Sequence, residues 1–175
     1  IRGLDANLAS LIMALPIFIL IIVLPVSGHT SDRYGQRGLA FFGMLLGALC
    51  CFILSTFGIT TNIYLIILEI LFIGLAHGIY GPPTHTALLN HAAAHKVAST
   101  SSMITMTVNI GALMGVALFN MVFLSTLPDT GLKQIAPELL NVGFARVFRF
   151  ATLLCIISAI SITFLQTSKH EKVSA

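Results

Sequence analysis

Gly28-His-Thr-Ser-Asp-Arg-Tyr-Gly-Gln-Arg37 is a short polar stretch set between two apolar runs, each long enough to cross a bilayer. Gly28 and Gly35 allow the chain to turn where a side chain would obstruct it. Asp32 can accept hydrogen bonds from free backbone N–H groups at a neighbouring helix start, and Arg33 and Arg37 contribute fixed positive charge. The stretch therefore reads as a loop joining two membrane spans, with the rest of the chain arranged around it as apolar rods.

The composition agrees. Of the residues 57% are hydrophobic and 9% charged, against about 25% charged in an ordinary soluble domain, and the mean hydropathy is +0.98. At roughly 20 apolar residues per crossing, the 175 residues hold several spans and no sizeable soluble domain. The net charge of +3 is small and scattered, so no nucleic-acid partner is expected. The chain opens on Ile1 and shows no signal-peptide order of basic region, short apolar core and cleavage site, which leads us to expect a portion of a longer protein. Cys50, Cys51 and Cys155 all fall in apolar runs, where a thiol behaves as a small hydrophobe. No Ser-His-Asp arrangement, phosphate-binding Gly-Lys loop or cluster of metal ligands is visible. The expectation is therefore no enzyme, no cofactor and no metal, with any work drawn from an ion gradient.

Five spans follow from the pattern, within a single transmembrane domain over 1–175: Leu8 to Ser27, Gly38 to Phe57, Ile63 to Leu89, Ser99 to Leu124 and Arg146 to Leu165. The fold class expected is an all-α, polytopic transmembrane helix bundle. Pro16 and Pro25 would break a helix in water, but in a membrane neighbouring helices satisfy the freed carbonyls, so a kinked first helix is expected. Gly43 and Gly47 have the small-xxx-small spacing that lets another helix approach. The third span carries Gly74, Gly78 and Gly81 as a smooth packing face, and Pro82 with Pro83 should bend or break it near its end. Gly111 and Gly115 give the fourth span a second packing pair, and Asn109 is placed to hydrogen-bond across helices. Residues from Ser125 to Ala145 read as the longest polar connection, punctuated by Pro128, Gly131, Pro137 and Gly143.

Lys and Arg in short loops collect on the cytoplasmic side. Placing Gly28 to Arg37 inside also puts Lys96, Lys169 and Lys172 inside and leaves Arg2, Lys133, Arg146 and Arg149 outside. The N-terminus is then outside and the C-terminus in the cytoplasm, in a multi-pass protein of the cell (inner) membrane.

The spacing Gly, three residues, Asp-Arg, one residue, Gly, one residue, Arg resembles the cytoplasmic loop signature of the major facilitator superfamily. Gly74-Leu-Ala-His-Gly-Ile-Tyr-Gly-Pro-Pro83, then Asn109-Ile-Gly-Ala-Leu-Met-Gly-Val-Ala-Leu118 and Gly143-Phe-Ala-Arg-Val-Phe, are similar to late helices of its fourteen-helix multidrug branch, the drug:proton antiporters. The loop ends in Gln36-Arg37 where the family usually has two consecutive basic residues, an ending common in the second copy of the loop. The resemblance implies the C-terminal part of a proton-coupled efflux transporter. Its partners would be the lipid bilayer, a missing N-terminal half, a small-molecule substrate and the proton. It also implies a gate in which Gly28, Asp32, Arg33, Gly35 and Arg37 hold one access state and release it in the other. A metabolite or sugar carrier of the same superfamily, or a small helical scaffold subunit, are the alternatives.

Glu69 is the foremost candidate for chemistry. A carboxylate two turns inside a span costs on the order of 3 kcal/mol unless it faces partners or a water-filled cavity. Such a group can take a proton from one side, release it to the other and attract a cation while ionised. His77 and His85 lie on the same span, and a neutral imidazole can relay protons near physiological pH. His91 and His95 are spaced i, i+4, but no third ligand accompanies them, and a metal site is not expected.

Overall fold

The computed structural model describes residues 6–90, 92, 96–127 and 136–164. Five helices make up its secondary structure: α1 (Ala6–Tyr34), α2 (Gln36–Thr56), α3 (Ile63–Asn90), α4 (Val97–Leu124) and α5 (Pro137–Phe164). All five are long and apolar enough to cross a membrane. The reason is local: hydrocarbon offers no partner to a bare N–H or C=O, so each apolar run closes its backbone hydrogen bonds internally.

The opening loop shrinks to one residue. α1 continues to Tyr34, and α2 starts at Gln36, with Gly35 between them at φ 95 and ψ 141. The polar run stays helical because its backbone bonds can be closed within the helix. Thr30 Oγ1 donates to the Val26 carbonyl at 2.7 Å, and Gly35 N–H donates to the Ser31 carbonyl at 3.0 Å. Gly28 is therefore a helical residue, and the tight turn belongs to Gly35 alone.

Two proline readings need correction. The pair Pro82 and Pro83 does not end α3, which runs through both to Asn90. Pro83 has no N–H to give the Ile79 carbonyl, but Ser27 Oγ on α1 donates to that carbonyl at 3.0 Å. One residue beyond the prolines, Thr84 Oγ1 donates to the Tyr80 carbonyl at 2.7 Å. Pro137, read as a breaker within a long connection, instead opens α5 well before Arg146. At the first helical position its fixed φ suits the helix and its missing N–H is not required, while Glu138 in the first turn complements the helix dipole. Gly143 is thus helical and buried. At the same end of the bundle, Asn62 caps α3, its Oδ1 accepting from Tyr64 N–H at 3.1 Å.

α2 lies between α3 and α5, α1 packs on α3, and α4 rests on α5 with lighter contact to α3. Contacts along the seams fix the directions. A Cβ on Gly74 would meet the Pro16 backbone, and one on Gly78 would meet Val23, so α1 and α3 run parallel; Gly43 faces Ile79 and Tyr80 while Gly47 faces Ala76, so α2 runs against α3. Phe119 against Phe150 (6.1 Å between ring centroids) and Phe123 against Phe144 (4.8 Å) make α4 and α5 antiparallel. The buried seam is built of small residues, Ala40, Ala48, Cys50, Ala76, Ala151 and Ala159. Large apolar side chains instead point outward on every helix. That inversion suits lipid, where close backbone approach, more than burial of bulk, draws helices together.

Candidate functional site

The buried carboxyl is placed by α3 and covered by α2. Glu69 is 7% exposed, and its Oε1 finds no hydrogen-bond partner among the described residues. Its polar neighbour on α2 is Cys50, near enough for the thiol and the carboxyl to interact electrostatically and itself 2% exposed. Antiparallel packing of α2 on α3 brings the two near each other. The Gly43 contact with Tyr80 and the Gly47 contact with Ala76 set a register that carries Cys50, farther along α2, level with Ile73, one turn of α3 from Glu69. The carboxyl is therefore enclosed between helices and does not sit on an open helix face.

Two turns onward on α3, His77 is exposed and its Nδ1 lies 2.8 Å from the Tyr80 hydroxyl, with the two rings edge to face at 5.0 Å. His85 is also exposed, farther toward the C-terminal end. At 1.5 Å per residue, Glu69 and His77 stand about 12 Å apart along the axis. The structure thus places the three candidates on one helix in different settings, the carboxyl with Cys50 and the first histidine with Tyr80. His91 and His95 lie outside the described residues.

The signature residues gather at one end of the bundle. Arg33 is exposed on the last turn of α1, and Arg37 on the first turn of α2 donates from Nε to the Ile162 carbonyl on α5 at 3.2 Å. That carbonyl belongs to the last turn of α5, where free carbonyls and the negative helix end favour a cation. Asp32 lies in the last turn of α1, and its side chain is outside the described ones. Lys96, preceding α4, stands at this same end by the antiparallel order of the helices.

Of the expected packing glycines, Gly74 and Gly78 lie tight against α1. At Gly81, Gly111 and Gly115 a Cβ would meet nothing within 4 Å among the described residues. No residue of α4 is buried, and Asn109 is exposed on it. Two residues and one bond escaped the sequence reading. Cys50 looked inert and Ser27 closed a span, while Arg37 was named with the gate but its bond to α5 was not foreseen. Nothing in the spacing could have announced them, because each acts on a group more than a dozen residues away.

These features define an α-helical, multi-pass membrane protein with a carboxyl enclosed between its helices. The family model described as Major Facilitator Superfamily matches residues 1–174, and the chain belongs to that superfamily, whose members carry out membrane transport. No curated protein matches the chain.

Proposed function

We propose that this chain is the C-terminal part of a proton-coupled efflux transporter for drugs or other small molecules, with Glu69 as the group that couples proton and substrate. The observation that carries this is the enclosed carboxyl with one oxygen unpartnered. A buried acid in a membrane span is costly, on the order of 3 kcal/mol, and packing alone gives no reason to keep it. Proton exchange does: neutral, the side chain fits between α2 and α3; ionised, it presents a charge that a cationic substrate can meet. The His77–Tyr80 pair, exposed farther along α3, is suited to passing protons between the carboxyl's level and that membrane face. Arg33, Arg37 and Lys96 at one end favour that end as cytoplasmic, with Asp32 and Arg33 as the gate beside the turn at Gly35. Alternating access needs a cavity between two helical bundles, so we assign this chain a partner half.

The test is Glu69→Gln in the intact transporter, assayed in inverted membrane vesicles with an imposed pH gradient. Gradient-driven accumulation of a fluorescent lipophilic cation should be lost, while the amount of protein in the membrane stays unchanged. Accumulation equal to that of the parent protein would overturn the assignment.

A further inference from the structure

Because α5 opens at Pro137, Arg146 and Arg149 stand inside a helix and not in a connection. Contacts to two neighbouring helices fix their depth. Arg37 at the start of α2 meets Ile162, and counting back along the two antiparallel helices puts Arg149 level with Cys50, about 9 Å short of the end of α2 at Thr56. On the other side, the pairs Phe119–Phe150 and Phe123–Phe144 put Arg149 level with the turn between Leu118 and Asn120, roughly 6 to 9 Å short of the end of α4 at Leu124. Arg146 stands about one turn nearer that end. The face they occupy follows from the helical period. At 100° per residue Arg146, Arg149, Leu153, Ile157, Ile160 and Phe164 fall within an arc of about 80°, on the side away from the buried Ala151, Ala159 and Ile162. All six are exposed, the four apolar ones by 51% to 80%. Apart from its two guanidinium groups, this stripe has the composition of a surface turned to lipid.

A guanidinium at that depth is costly unless it is paired or reaches the interface. Of the described acidic side chains, Glu69 is enclosed on the far side of α2, and Glu138 lies about 12 Å nearer the start of α5 than Arg146. Among the described residues, Arg146 has a long 3.5 Å contact from Nη1 to Thr126 Oγ1, and Arg149 has no polar partner. The anion that a bilayer itself supplies at this level is the lipid phosphate. An arginine stem can lie along apolar surface while its head reaches the headgroups, and the planar fork of donors matches two phosphate oxygens. We propose that Arg146 and Arg149 bind the phosphate of an anionic phospholipid in the leaflet at the Asn62 end, its acyl chain running down toward Leu153. Two cations one turn apart favour a headgroup that brings no ammonium of its own, such as phosphatidylglycerol. The site also gives these arginines a reason to stand at the end where short connections hold fewer cations. It rests on the membrane placement of the helices and not on Glu69.

The experiment uses the full chain, purified in detergent, stripped of lipid and titrated with phosphatidylglycerol, with bound lipid counted by native mass spectrometry. One phosphatidylglycerol per chain should bind about 10-fold more tightly than phosphatidylcholine. Arg146→Gln and Arg149→Gln should each weaken it by about 10-fold, the loss of one charge-assisted hydrogen bond. Lys96→Gln removes the same charge at the opposite end and should leave it unchanged. Glycerophosphoglycerol, the same headgroup without chains, should not compete at equal concentration. Equal binding of the two lipids, equal losses at all three positions, competition by the bare headgroup, or a lipid-free dimer closed over the stripe would each overturn the proposal. Should a glutamine variant lose helix content by circular dichroism, the unaltered chain decides. Phosphatidylglycerol with a photoreactive headgroup should then crosslink between Val142 and Leu153, and crosslinks confined to other helices would overturn the site.

Discussion

Gly28 and Gly35 belong to one motif and do different physical work. Gly35 holds φ 95 and ψ 141, near the region that is essentially reserved for glycine, where a side chain costs about 1–3 kcal/mol. Gly28 sits in helical backbone with open space where a Cβ would project. Gly35→Ala should therefore lower the unfolding midpoint in mixed micelles by about 1–3 kcal/mol of stability. Gly28→Ala should leave it unchanged or raise it by up to about 1 kcal/mol, because alanine is the better helix former. Equal losses at the two positions would contradict the turn described above. The same scale shows why Glu69 could be singled out from sequence while Cys50 could not. An acid in an apolar run is conspicuous by its cost, whereas a thiol there is inconspicuous until the helix that it faces is known.

Among the elements, α3 shows how a helix survives two consecutive prolines. The Ile79 carbonyl, deprived of an N–H by Pro83, is served by Ser27 Oγ from α1, and Pro83 itself is fully buried. Ser27→Ala should cost about 1 kcal/mol. In a Pro83→Ala background that cost should fall toward zero, since the restored N–H answers the same carbonyl. A double-mutant cycle by unfolding in mixed micelles measures the difference, and additive effects would show that the two residues do not share a carbonyl. The existence of five apolar helices was legible because hydropathy over some twenty residues reports the solvent. The ends were not. Membrane prolines read as breaks by rules learned in water, yet Pro83 lies inside α3 and Pro137 begins α5. The polar run from His29 to Tyr34 read as loop, although nothing in it opposes helical backbone until Gly35.

For the whole molecule, the antiparallel order puts Arg33, Arg37 and Lys96 at one end and Asn62 at the other. A membrane-impermeant maleimide should thus label Arg33→Cys and Lys96→Cys from the same face of sealed vesicles, and Asn62→Cys only from the opposite face, each in a background lacking the native cysteines. Labelling of the first two from opposite faces would break the topology. The glycine and alanine seam has a consequence for how such a protein fails. A soluble domain is commonly ruined by hollowing, when a bulky interior side chain is cut down and a void remains. Here the interior is already close to its minimum size, with Ala48, Ala76 and Ala159 buried and Gly43, Gly74 and Gly78 tight against their neighbours. There is little left to hollow. Damage comes instead from swelling: one methyl added at Gly43, Gly74 or Gly78 would lie 2.7, 2.8 or 2.6 Å from its nearest neighbour on the facing helix and push that helix away, so these positions hold glycine, while the buried alanines tolerate only glycine or serine.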